Sequence, residues 1–208
     1  LYPEWIDDRL IDVIAREDKI LKYLDIPLQH CNDKILKKMN RRGDKKYLCA
    51  LLDKLRERIP GLVLRTSIIA GLPGEGEEEF DELCDFLREQ KLLRAGVFPY
   101  SPEEGTRAAK MERVDSDEAA RRAERIVDIQ SEIIDAWNDE RQGDVMEVLC
   151  EGFDGQSMLF VGRSYAESPD IDGRIYFSAP RDVAAGEFVP VRITGAMDGE
   201  LTGELAEE

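Results

Sequence analysis

The sequence predicts an α/β domain followed by a small antiparallel β-barrel of the OB-like type. Through residue 110, strand-like apolar runs alternate with apolar residues at helical spacing, the pattern of a parallel sheet with right-handed crossovers. A long helical stripe then runs from Asp117 to Arg141. From Gly143 onward the chain changes to five short strands punctuated by glycine, as a small barrel requires.

Ile6, Leu10, Val13 and Ile14 predict the first helix, and Ile20 to Ile26 a strand running into Pro27-Leu28-Gln29-His30. Ile35, Leu36 and Met39 mark a short helix. Leu48, Leu51, Leu52 and Leu55 mark a longer one, stopped by Pro60-Gly61. Leu62 to Ala70 is a β-branched strand ending at Gly71. Glu77 to Gln90 is a helix with Phe80, Leu83, Cys84 and Leu87 inward, and Gly96 to Tyr100 is a third strand. Leu1-Tyr2 is the candidate end of a fourth. Three strands cannot close a barrel, and a parallel sheet needs cover on both faces. Residues 1–115 therefore read as the back part of a larger α/β domain, a partial (β/α) barrel whose open edge invites dimerisation.

Residues 116–141 form a connecting helix, with Ser116 as candidate N-cap, Asp117 and Glu118 at its positive end, and a stripe of Ala119, Ala123, Ile126, Ile133, Ile134 and Trp137. Residues 142–208 form the barrel, with strands at Val145–Cys150, Met158–Val161, Arg174–Phe177, Phe188–Ile193 and Leu201–Leu205.

Composition narrows the function classes. Of 208 residues, 42% are apolar and 36% charged, enough to bury a core. No stretch approaches the roughly 20 apolar residues of a membrane helix, and Leu1-Tyr2-Pro3-Glu4-Trp5 does not open a secretory signal. Cys31, Cys49, Cys84 and Cys150 are too widely spaced for a zinc or iron–sulfur run and read as packing residues of a cytoplasmic chain with reduced thiols. His30 is the one histidine, so no complete metal site or histidine triad is expected within this chain. Twenty-nine basic residues against 45 acidic give −16. Residues 142–208 hold −10 of it: their only bases are Arg163, Arg174, Arg181 and Arg192, and they have no lysine. Such a barrel would repel phosphate and attract a cationic partner.

In parallel α/β domains ligands bind at the carboxyl ends of strands. The three ends here are Pro27 to Cys31, Gly71 to Glu75 and Phe98 to Gly105. The glycine loop is not a phosphate loop: Glu77, Glu78 and Glu79 stand where Lys and Ser or Thr would be required, and suit a helix start or a cation. His30 is a candidate base or ligand, or a hydrogen-bonded positioning residue. Arg65, inside an apolar strand, must face an anionic ligand group or pair with a neighbour such as Asp25.

At these strand ends the chain resembles the radical S-adenosylmethionine methylthiotransferases. The resemblance rests on Tyr23-Leu24-Asp25-Ile26-Pro27-Leu28-Gln29-His30, on Leu64-Arg65-Thr66-Ser67-Ile68-Ile69-Ala70-Gly71-Leu72-Pro73-Gly74-Glu75, and on Gly96-Val97-Phe98-Pro99-Tyr100-Ser101-Pro102-Glu103-Glu104-Gly105-Thr106. The terminal barrel is similar to the family's TRAM domain. Arg65-Thr66 and Gly162-Arg163-Ser164-Tyr165-Ala166-Glu167-Ser168-Pro169-Asp170-Ile171-Asp172-Gly173 resemble the RimO-type branch, which modifies an aspartate β-carbon on a small-subunit ribosomal protein. The alternatives are the MiaB branch, which modifies adenosine in tRNA, and a non-catalytic binding module. The resemblance implies S-adenosylmethionine and two [4Fe–4S] clusters in the full-length enzyme, with no cluster ligand in this chain. It implies that Gln29, His30, Arg65 and Thr66 line the cofactor or substrate side and that Phe98 to Tyr100 pack near the adenine. It implies a basic ribosomal protein as the partner of the acidic barrel, with tRNA turned away; the fragment alone is expected to be inactive.

Overall fold

The computed structural model describes residues 1–206; Glu207 and Glu208, counted above among the barrel's acids, lie outside the described residues. The chain divides into two compact units, Leu1–Ile133 and a second that begins at Ile134.

The first unit is a three-stranded parallel sheet in the order β1-β2-β3, formed by Tyr23–Asp25, Val63–Ala70 and Arg94–Pro99. Four helices precede or separate the strands: α1 (Asp8–Arg16), α2 (Asp33–Lys38), α3 (Lys45–Arg58) and α4 (Glu77–Gln90). Side chains of Asp7, Asn32 and Asp44 accept the first free amides of α1, α2 and α3, and Glu79 Oε2 accepts Gly76 N–H at the start of α4. Strand β1 is shorter than expected because Ile20 and Leu21 stay exposed, while the Lys22 ammonium turns back to cap the last carbonyls of α1, those of Ile14, Ala15 and Glu17. Leu1-Tyr2 is not a strand: Pro3 opens a 3-10 turn there, and the Leu1 ammonium donates to the Asp25 carbonyl.

Alternation along β2 sets the two faces of the sheet. Leu64, Thr66, Ile68 and Ala70 are buried, while Arg65, Ser67 and Ile69 between them are only half-buried. The buried face carries the core: Leu24, Ile26, Leu64 and Ile68 pack with Leu52 and Leu55 of α3, Leu83 and Phe86 of α4, and Ile126 of the long helix α5 (Ser116–Glu140). The N-cap of α5 is Asp115, not Ser116; its Oδ1 accepts from Asp117 N and Glu118 N.

The second unit holds a closed five-stranded barrel. Its strands are β4 (Val145–Asp154), β5 (Leu159–Arg163), β6 (Ile175–Ser178), β7 (Phe188–Met197) and β8 (Glu200–Leu205), in the closed order β4-β5-β6-β8-β7. Only β6 and β8 run parallel. Val148, Ile175, Phe177, Val191 and Ile193 fill the interior. Strand β4 runs past the predicted end at Cys150 through a register shift before Gly152, whose φ of +155° bends the strand around the barrel. Among the described residues no helix is long and apolar enough to cross a membrane.

Candidate functional site

The carboxyl ends of β1, β2 and β3 lie side by side. Pro27 has no N–H for the ladder, and the chain compensates with Thr66. Its hydroxyl accepts the Leu28 amide at 3.1 Å, and pairing resumes as Gln29 N donates to Ser67 O at 2.8 Å. Gln29 takes φ +67°, a left-handed turn that directs the chain to His30. Thr66 is therefore on the helix-covered face and buried, and the structure does not bring it beside Arg65 on the other face. This follows from strand geometry, since successive side chains point to opposite sides.

Arg65 pairs with Asp25, its register partner on β1, Nη1 to Oδ2 at 2.6 Å. Its second terminal nitrogen faces Gly96 on β3. A Cβ at Gly96 would stand 3.4 Å from Arg65 Nη2 and 3.2 Å from Phe98 Cε2, so the absence of a side chain lets guanidinium and ring close in over the strand. Phe98 is 53% exposed on this same face. Tyr100 continues the line through Tyr100 N to Ala70 O at 2.8 Å, and its hydroxyl is buried without a partner.

His30 lies apart from this open face, fully buried. Its Nδ1 accepts the Asn32 amide at 3.0 Å, which leaves the proton on Nε2. Nε2 stands 3.3 Å from Glu75 Oε2, off the direction of a good hydrogen bond. The other oxygen, Glu75 Oε1, accepts from Gly71 N and from Arg122 Nη1, each at 2.9 Å. Arg122, on α5, also donates to the Glu75 carbonyl, to Glu77 at 2.7 Å and to Glu118 at 3.0 Å, and stacks over Phe80. Burial alone would raise the Glu75 carboxyl; His30, the Gly71 amide and Arg122 overcome it and hold it below the usual carboxylate value. His30 is thus held by Asn32 and faces Glu75 inside the fold. Glu75 and Arg122 are the members that sequence reasoning missed.

The acids that open α4 are engaged inside the fold. Besides the Glu77–Arg122 pair, Glu79 bonds Lys34 at 2.8 Å and accepts the Gly76 amide, which lowers its carboxyl to about 2. Lys38, Gly74, Glu75, Gly76, Glu112 and Arg113 line a cleft of about 560 Å³ beside this loop. The four cysteines do not form a cluster cradle. Cys31 Sγ points at the Glu82 carbonyl and Cys150 Sγ at those of Gly152 and Val183, and burial raises both thiols. Among the described residues no group of three or more His, Cys, Asp or Glu is placed to hold a metal ion.

Comparison with known proteins places this geometry. Residues 3–87 match the Radical SAM superfamily and residues 143–206 the TRAM domain. The chain is 44% identical to ribosomal protein uS12 methylthiotransferase RimO of Acetivibrio thermocellus, over 100% of this chain and 46% of that protein. It is 47% identical to the protein of the same name from Pelotomaculum thermopropionicum, over 98% of this chain and 46% of that one. The chain thus spans somewhat less than half the length of these relatives. Among solved structures, coproporphyrinogen III oxidase (HemN) of Escherichia coli, a radical SAM enzyme, superimposes with a TM-score of 0.54 at 21% identity, covering 64% of this chain and 31% of that one. That likeness concerns the fold.

Proposed function

We propose that the chain is part of a radical SAM methylthiotransferase of the RimO type, an enzyme that adds a methylthio group to the β-carbon of an aspartate on a basic small-subunit ribosomal protein. When bound in the whole protein, S-adenosylmethionine and two [4Fe–4S] clusters would supply the radical chemistry and the sulfur. We assign no cluster ligand to this chain and read its residues as contributing to the organic cofactor and to docking.

The observation that carries the cofactor reading is the approach of Arg65 and Phe98 over Gly96 on the open face of the sheet. Arg65 Nη2 offers a cation and donor, the Phe98 ring an apolar surface, and the Tyr100 hydroxyl a buried donor without a partner. An amphiphilic molecule with a carboxylate and a heteroaromatic base suits that set. Asp25 holds the Arg65 fork in place, so its ordering is complete before the ligand arrives. Gln29, paired in register with Ile68 just past β1, is the further polar group we assign to the ligand. His30 and Thr66 serve it indirectly by fixing the β1 and β2 loops.

The barrel supports the choice of substrate. A cleft of about 450 Å³ is lined by Glu151, Asp154, Asp170, Phe153, Tyr176 and Arg174. Arg163 is paired with Glu151 and Arg181 with Glu187, while Arg192 donates to the Gly143 carbonyl. Glu147, Asp170, Asp198 and Glu204 make no ion pair among the described residues. The remaining sign is negative, which favours a lysine- and arginine-bearing polypeptide.

Gly96→Val in the full-length parent tests the cofactor reading. The three atoms nearest an added Cβ belong to the side-chain ends of Phe98 and Arg65, and valine suits a strand, so folding is expected to be retained. Binding of S-adenosylmethionine, measured by equilibrium dialysis, is expected to weaken at least about tenfold, or ~1.4 kcal/mol. Unchanged affinity would move the cofactor away from this face.

A further inference from the structure

The chain is acidic as a whole, yet its cations are concentrated in one place. Lys34, Lys37, Lys38, Arg41, Arg42, Lys45 and Lys46 stand within residues 33–47, where the only acids are Asp33 and Asp44. Lys34 and Lys45 are paired with Glu79 and Glu82. Lys37, Lys38, Arg41, Arg42 and Lys46 make no ion pair among the described residues. The end of α2, the start of α3 and the turn between them bring these five together.

Aromatic rings border the same surface. Trp5 is 67% exposed and meets Tyr2 edge-on at 5.5 Å; the Arg41 guanidinium lies over the Tyr2 ring at 5.0 Å. The Tyr47 hydroxyl donates to the Pro3 carbonyl at 3.0 Å and ties α3 to this aromatic turn. Arg41 Nη1 is buried without a hydrogen-bond partner. On the other side, the Lys38 ammonium occupies the space where a Cβ on Gly74 would lie, which extends the positive surface to the rim of the strand-end cleft.

We propose that the α2–α3 surface docks the sugar–phosphate backbone of RNA, with Trp5 and Tyr2 as a stacking platform for a base. Five neighbouring unpaired cations repel one another, and a polyanion relieves that repulsion while releasing its own counterions. An acidic peptide would satisfy the charges and leave the rings without a use; arginine beside exposed aromatic rings is the combination that takes single-stranded nucleic acid. The acidic remainder of the chain repels phosphate, so contact is confined to this patch. The proposal does not rest on the methylthio chemistry, though a ribosomal substrate is presented among RNA phosphates and the two contacts are compatible.

The test is a fluorescence-anisotropy titration of a labelled, unstructured RNA oligonucleotide with the chain at low ionic strength. Binding is expected, with an affinity that falls steeply with salt. The K37E/R42E/K46E variant is expected to lose at least about tenfold in affinity and to flatten the logarithmic salt slope by about 2. Trp5→Ala should lower affinity several-fold at unchanged slope. The three charged side chains are exposed, and circular dichroism checks the fold; the milder R42Q/K46Q pair gives the same reading should the triple variant melt early. Three results would overturn the proposal: no RNA binding by the chain, equal binding by the charge variants, or a polyglutamate peptide competing as well as RNA. The last would assign the surface to an acidic polypeptide.

Discussion

Arg122→Ala is expected to destabilise the first unit by about 3–5 kcal/mol, the cost of removing one partner from a buried ion pair. The guanidinium reaches Glu75, Glu77 and Glu118, and the Glu75 side chain has no solvent exposure. Without Arg122, Glu75 keeps only the Gly71 amide and the off-angle contact with His30. The variant also weakens the pH dependence contributed by this group. In the native chain the folded pKa of Glu75 lies below its usual 4.5. Its contribution is therefore present above that value and is lost as pH falls through the folded pKa. In the variant the His30 contact and the Gly71 amide still oppose burial, so the folded pKa rises toward the usual value and less of this contribution remains. The difference between native and variant chains is then largest at neutral pH and narrows below about pH 4.5. Hydrogen exchange of the peptides covering β1, β2 and the Gly71–Gly76 loop reads this unit separately from the barrel. A loss under about 1 kcal/mol, or one independent of pH, would show that the network is only a surface arrangement.

The second large effect concerns the closure of the barrel. Gly203 on β8 lies between β6 and β7, opposite Phe177 and Ile193. A Cβ there would stand 2.4 Å from the Arg192 carbonyl oxygen and 2.7 Å from Val191 Cγ1. The oxygen belongs to the backbone of β7 and cannot move without parting the ladder that closes the barrel. Gly203→Ala is therefore expected to cost about 3 kcal/mol or more, at the upper end for overpacked sites. Gly195→Ala on the neighbouring strand is the control: its nearest atom is Thr202 Oγ1 at 3.6 Å, an ordinary contact, and its effect should stay near zero. Thermal melting followed by near-ultraviolet circular dichroism separates the two. Equal melting temperatures would mean that β7 and β8 are less closely packed than the structure has them.

Much of the architecture is legible in local pattern. The three strands end where strand-like runs meet Pro27, Gly71 and Pro99, and the barrel strands follow the glycine spacing. What local pattern does not carry is which face each residue takes and which distant residue it meets. Arg65 and Thr66 are adjacent in the chain and opposite in the sheet. Asp25 is 40 residues from the Arg65 it neutralises, and Glu75 is 47 from Arg122. One signal for the latter was present: Arg122 falls on the apolar stripe of α5, beside Ala119, Ala123 and Ile126, all buried. A charge at a core-facing helix position needs a buried partner. Net charge also averaged over the α2–α3 cations, which only local counting separates from the acidic barrel.

The most direct measurement of the central claim is mass spectrometry after reaction of the full-length parent, with its clusters assembled and S-adenosylmethionine supplied, on two substrates in parallel: the small-subunit ribosomal protein and bulk tRNA. A mass gain of one methylthio group on a single aspartate of the protein is expected, suppressed by added salt, and none on tRNA. A methylthio group on tRNA adenosine with the ribosomal protein untouched would contradict it.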